Sequence, residues 1–100
     1  MRCRDASAVL KALGHEIRLL ILFLLADGEM TVTELEARLG LQQAVVSQHL
    51  ARLRVDRLVD TRRSGRLAYY SISNHEIASV VALLQGTFLK GRYPGAVERS

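Results

Sequence analysis

Apolar residues are spaced helically up to Arg54, alternate from Leu58 to Ile72, and return to helical spacing after His75. Ala6, Val9, Leu10 and Leu13 fall at i, i+3, i+4 and i+7, which predicts a short first helix ended by Gly14. From His15 to Ala26, Ile17, Leu20, Ile21, Leu24 and Leu25 share one face. Leu19, Leu22 and Phe23 extend the apolar surface nearly all round, as in a helix at the centre of a fold. Asp27-Gly28 stops it. Thr31-Val32-Thr33-Glu34 has capping-box form and opens a short third helix, with Leu35 and Leu39 inward and Gly40 at its end. A fourth helix is predicted over about 42–54, with Val46, Leu50 and Leu53 as its buried stripe.

The period then becomes two. Leu58 to Arg62 and Leu67 to Ile72 read as strands around a turn, Arg63-Ser64-Gly65-Arg66. Ser73-Asn74-His75-Glu76 reads as a second capping box, opening a last helix with Ile77, Val80, Val81, Leu84 and Phe88 apolar. The order is α-α-α-α-β-β-α, mainly α with a β-hairpin wing over 58–72. Two short helices joined by a tight glycine-containing turn and followed by a basic hairpin make a winged helix-turn-helix.

Composition narrows this little. With 100 residues, 49% of them hydrophobic, the chain holds one domain, placed at 1–90, and a tail over 91–100 expected to be flexible. The net charge is +4, and all basic residues except Lys11 and Lys90 are arginine, whose donor fork suits phosphate and guanine edges. Such a balance fits nucleic acid, an anionic membrane surface or a merely solvated basic face, and selects none of them. The single cysteine, Cys3, rules out an intramolecular disulfide framework or a cysteine-cluster metal site within these residues. The longest apolar run, Leu19 to Ala26, is too short to span a bilayer, and no secretory signal is seen, so a cytoplasmic protein without a membrane partner is expected.

The fourth helix carries the candidate chemistry. With Val46, Leu50 and Leu53 buried, the opposite face centres on Ala44, Ser47, Gln48 and Ala51, short or planar side chains that let a helix sit deep in a major groove. Gln43 and Gln48 can make paired hydrogen bonds to an adenine edge, and Ser47 can bond a base or a phosphate. Arg52 and Arg54 flank this face where backbone phosphates would lie. In the wing, Arg62, Arg63 and Arg66 give a second grip on the backbone or an adjacent minor groove; the alternative is ordinary edge-strand protection against aggregation. The combination is more specific than either half. His49 lies at the border of the buried stripe, where an imidazole bonding a carbonyl or phosphate and one contacting a base are both open. His15 and His75 open helices without a partner at metal-ligand spacing, so no metal or other cofactor is expected. Cys3, between Arg2 and Arg4 in an arm expected to be mobile, is either a redox thiol or incidental. Tyr69 and Tyr70 take opposite faces, one toward the core and one free to reach DNA.

The runs Leu13-Gly14-His15-Glu16-Ile17-Arg18, TVTELEARLG, QQAVVSQHLARLR and RRSGRLAYYSIS resemble the ArsR/SmtB family of winged helix-turn-helix repressors over roughly residues 8–89. The strongest part of the match is Ser47-Gln48-His49-Leu50 with Leu53-Arg54 and Tyr69-Tyr70-Ser71, and within the family the chain is most similar to the BigR/SqrR/NolR branch. The resemblance implies a homodimer built on the first and last helices, binding double-stranded DNA at an inverted-repeat operator. It also marks departures. Arsenic- and lead-sensing relatives carry cysteines where this chain has Thr31 and Thr33. Zinc- and cobalt-sensing relatives carry last-helix ligands where it has Asn74, Glu76, Thr87 and Lys90, which do not rebuild a four-ligand site. The two cysteines of the sulfide-responsive branch are replaced by Phe23 and Leu89. The known inducing sites of the family are therefore absent in their usual metal or dithiol form.

A rival reading is a protein-interaction module that kept the fold and lost sequence-specific DNA binding. An enzyme is set aside, because no carboxylate pair, nucleophile–base set or phosphate loop occurs at usable spacing.

Overall fold

The computed structural model describes residues 3–89, so the tail proposed for 91–100 lies outside the described residues. The elements are α1 (Cys3–Leu13), α2 (Glu16–Ala26), β1 (Met30–Thr31), α3 (Val32–Leu39), α4 (Gln43–Val55), β2 (Val59–Ser64), β3 (Leu67–Ile72) and α5 (His75–Leu84). A π-helical turn, Gln85–Leu89, continues α5.

The core forms where the apolar stripes converge. Ile21, Leu22, Phe23 and Leu25 of α2 meet Leu35 of α3, Val46, Leu50 and Leu53 of α4, and Ile77 and Val81 of α5. Val46 and Leu53 are completely buried, so truncating a leucine in this cluster costs about 2–5 kcal/mol. This packing fixes the rotation of α4 about its axis, and with it the residues α4 presents outward.

Thr31 has two local roles. Its backbone pairs with Tyr69 in the sheet, while its hydroxyl accepts from the Glu34 N–H at 3.1 Å and the Glu34 carboxylate accepts from the Thr31 N–H at 2.8 Å. The predicted capping box is thus formed, and β1 precedes it as a strand too short to show a period. β1 joins the hairpin to give an antiparallel sheet in the order β1-β3-β2. Gly40 closes α3 in the left-handed region, at φ 69°, a conformation that turns the chain sharply into α4.

Four sequence expectations are corrected. The hairpin runs further than predicted: Arg63 pairs with Ala68 and Ser64 with Leu67, leaving Gly65-Arg66 as a two-residue turn. Gly65 takes φ 64° at its first position, as a tight hairpin turn demands. The cap of α5 is Asn74, whose side chain accepts from the Ile77 N–H at 2.8 Å, whereas the Ser73 hydroxyl donates to the Arg57 carbonyl at 2.7 Å. Cys3 is not in an arm but is the exposed first residue of α1. Finally, Leu10, Leu20, Val80 and Phe88, which their spacing puts on the apolar stripes of the helices, are exposed on α1, α2, α5 and the π-helical turn.

Candidate nucleic-acid interface

Burial of Val46, Leu50 and Leu53 turns the other side of α4 outward. Gln43, Ala44, Gln48 and Ala51 are exposed and Ser47 is half-buried. A single uncharged polar face on a helix held this firmly matches a major groove in width and hydrogen-bonding capacity. Val55 extends the same row by one turn beyond Gln48 and Ala51 and is 73% exposed. Its outward position was readable from the i, i+3, i+7 spacing Gln48, Ala51, Val55, but as an apolar residue it drew no notice.

The arginines predicted beside this face are differently engaged. Arg52 is exposed and its Nε donates to Asp56 Oδ2 at 3.3 Å, one helical turn on. Arg54 is exposed and borders a polar hollow shared with Arg57, Asp60, Thr61 and Asn74, on the side of α4 that meets the wing. Arg63 and Arg66 are exposed near the end of the hairpin. Arg62 stands further back, bonded through two nitrogens to the carboxylate of Glu29 and lying 4.6 Å from the centroid of the Tyr69 ring. Tyr70, the other member of the pair, packs against the core.

His49 is half-buried. Its Nδ1 accepts from Arg18 Nε at 3.3 Å, and its ring lies 4.8 Å from that of His15, tilted by 55°. Partial desolvation, followed by the charges of His15 and Arg18, holds the His49 imidazole below its ordinary range. An Nδ1 that accepts is unprotonated, so the observed bond and the depressed basicity agree. The Arg18–His49 contact joins residues 31 apart and had no sequence signal. The same is true of Glu29 beneath the wing.

Two positions that the family resemblance singles out have structural roles here. Thr31 spends its hydroxyl on the cap of α3. Phe23 is buried, and its carbonyl accepts from Gln85 Nε2 at 3.1 Å, tying α2 to the continuation of α5. Among the described residues, no three His, Cys, Asp or Glu side chains come together, and no helix is long and apolar enough to cross a membrane.

With this geometry fixed, similarity to known proteins decides the family. Residues 15–61 match the family described as bacterial regulatory protein, arsR family. The chain is 46% identical over 79 residues to the transcriptional activator HlyU of Vibrio cholerae serotype O1, covering 79% of this chain and 73% of that protein. The chain belongs to the arsR family. It is also 37% identical over 87 residues to the biofilm growth-associated repressor of Agrobacterium fabrum, covering 87% of this chain and 74% of that protein. The solved structure of Vibrio cholerae HlyU superposes with a TM-score of 0.83 at 41% identity, covering 89% of this chain and 99% of that one. The Mycobacterium bovis protein Mb0332, described as a homodimeric winged helix-turn-helix DNA-binding domain, gives 0.77 at 36% identity over 82% of this chain and 76% of that one.

As an arsR-family chain it has the winged helix-turn-helix architecture expected from its sequence. Membership favours the regulator reading over the interaction module, and the arsR match spans α2, α3, α4 and the start of β2.

Proposed function

We propose that this arsR-family chain is a homodimeric, sequence-specific DNA-binding transcriptional repressor acting in the cytoplasm by binding, not by turnover. Gln43, Ser47 and Gln48, with Ala44 between them, contact base edges in the major groove. Arg52, Arg54, Arg63 and Arg66 hold phosphates, while Arg62 sets the wing and His49 supports the rear edge of α4. A two-fold dimer requires an inverted-repeat operator with one half-site for each recognition helix.

One observation carries the reading: the uncharged row on α4, exposed at Gln43, Ala44, Gln48 and Ala51 and half-buried at Ser47, faces outward because the opposite row is buried. Dimerisation is supported by exposed leucines on the outer helices, Leu10 at 67% and Leu83 at 66%. Any induction works by something other than thiolate-bound metal or an intrasubunit dithiol, since Cys3 is the sole cysteine of these residues and Phe23 stands where the resemblance implies a sensing cysteine. A redox role for Cys3 requires its counterpart in another subunit.

The test is an anisotropy titration on duplex DNA from upstream of the gene and on a scrambled duplex, across a salt series. Four phosphate contacts per protomer, or eight per dimer, give a log–log slope of about −7, with a clear preference for the upstream sequence. A flat slope without preference would return the interaction module. Transcript levels from the same region decide the sign. They rise when the protein is removed if it represses and fall if it activates, the role named for HlyU.

A further inference from the structure

We propose that the cleft between α1, α2 and α4 is a third backbone-phosphate site, gripping DNA beside the groove that α4 enters. The inference rests on the DNA-binding reading above and adds contacts from helices outside the helix-turn-helix and wing. The cleft, of about 340 Å³, is lined by Arg4, Lys11, Arg18 and Arg52 and, among the described residues, by the single carboxylate of Asp56. That carboxylate already accepts from Arg52 at 3.3 Å. The lining is therefore strongly cationic and suits an anion.

Its position ties it to DNA in particular. Arg18 and Arg52 also border the shallow depression formed with Gln48, His49, Ala51 and Val55, so the cleft opens onto the outward face of α4. On the docking proposed above, a strand leaving the groove at the C-terminal end of α4 passes over it. Arg18 is also set for the task. Its Nε is engaged by His49 Nδ1 at 3.3 Å, and the His49 ring packs on His15. Among the described residues nothing bonds the two terminal nitrogens of its planar fork, which are left to meet phosphate oxygens, and a guanidinium already held in place loses less freedom on binding. Arg18 thereby couples α2 to the recognition helix. Such contacts position the protein on the duplex and carry no sequence information.

The experiment uses the full chain with the Arg4→Ala/Lys11→Ala double variant, Arg18→Gln and Arg18→Lys, titrated on the upstream and scrambled duplexes across salt. Circular dichroism checks folding and sedimentation checks the dimer. Arg4 and Lys11 are exposed on a helix, so the double variant folds even if Arg18→Gln does not. The slope is expected to become shallower by about 0.9 for every phosphate no longer neutralised, with the same fold-loss on both duplexes. Arg18→Lys should restore the slope but not the full affinity. An unchanged slope in the double variant, against a steep wild-type slope, overturns the inference and leaves the regulator reading intact. Weakened dimerisation with an unchanged slope also overturns it, marking the cleft as a subunit contact. A flat wild-type slope removes the regulator reading itself.

Discussion

Arg62 of the wing and Glu29 of the α2–β1 loop, 33 residues apart, form a two-point ion pair: Nε donates to Oε2 at 2.9 Å while Nη2 donates to Oε1. The same guanidinium lies over Tyr69. The hydrogen bond from Arg62 holds the Glu29 carboxyl below its usual value and, reciprocally, raises Arg62. A depressed carboxyl contributes above its unfolded value and loses that contribution as pH falls through the folded one, so the pair is intact at neutral pH and opens only in acid. Both groups are at the surface, where solvent screening keeps the contribution to stability small. Its consequence is the placement of the wing.

A difference among the wing arginines follows. Arg63→Ala and Arg66→Ala should each make the salt slope shallower, by about 0.9 for each phosphate the arginine had neutralised. Arg62→Ala should change it less, because Glu29 already neutralises that charge, and Glu29→Gln should steepen it by releasing Arg62. If Arg62→Ala caused the largest loss of the three, the wing would grip DNA through Arg62 instead.

Gln48→Ala tests readout. A paired hydrogen bond to a base edge discriminates by about 1–3 kcal/mol, so the variant should lose roughly that much affinity for upstream DNA and none for scrambled DNA. Equal losses on both would make Gln48 a backbone contact.

His49 gives the fold a pH dependence. Its imidazole sits below the ordinary value of 6.5 because it is partly desolvated and faces His15 and Arg18. Between the unfolded and folded values the unfolded chain binds more protons, so stability falls as pH drops below about 6.5. Thermal melts from pH 8 to 5 should show this decline, and His49→Gln should flatten it. An undiminished decline in His49→Gln would assign the effect to another group.

The dimer proposal predicts that Leu10→Glu/Leu83→Glu, both at exposed positions, gives a folded monomer by sedimentation with weak binding to the upstream DNA. A double variant that remained dimeric would place the subunit contact elsewhere.

Arg57 carries a stability prediction. It holds a left-handed conformation, φ 62°, at the end of α4, where the Leu58 N–H bonds the Leu53 carbonyl and the Arg57 N–H that of Arg54, as in a Schellman cap. A non-glycine residue is disfavoured there by about 1–2 kcal/mol. Arg57→Gly should recover about 1 kcal/mol in denaturant unfolding; a loss of stability would show that its side-chain packing outweighs the strain.

Periodicity carried most of the fold and the recognition face, because Val46, Leu50 and Leu53 recur at the spacing that buries one side of a helix. It failed where burial depends on distant partners. Leu10 and Val80 satisfy a helical stripe but face outward on α1 and α5, since local spacing cannot distinguish a face buried within the chain from one left exposed beside it. β1 escaped notice because its two residues make a strand only by pairing with Tyr69 and Tyr70. The roles of Arg18 and Glu29 likewise come from contacts made by folding, and nothing in their sequence neighbours announced them.

The most direct test of the recognition surface is amide chemical-shift mapping of the labelled protein with upstream duplex DNA. The largest changes should fall on Gln43, Ala44, Ser47 and Gln48, followed by the hairpin around Gly65 and Arg66. Changes confined to α1 and α5, with α4 silent, would contradict the assignment of α4 to the major groove.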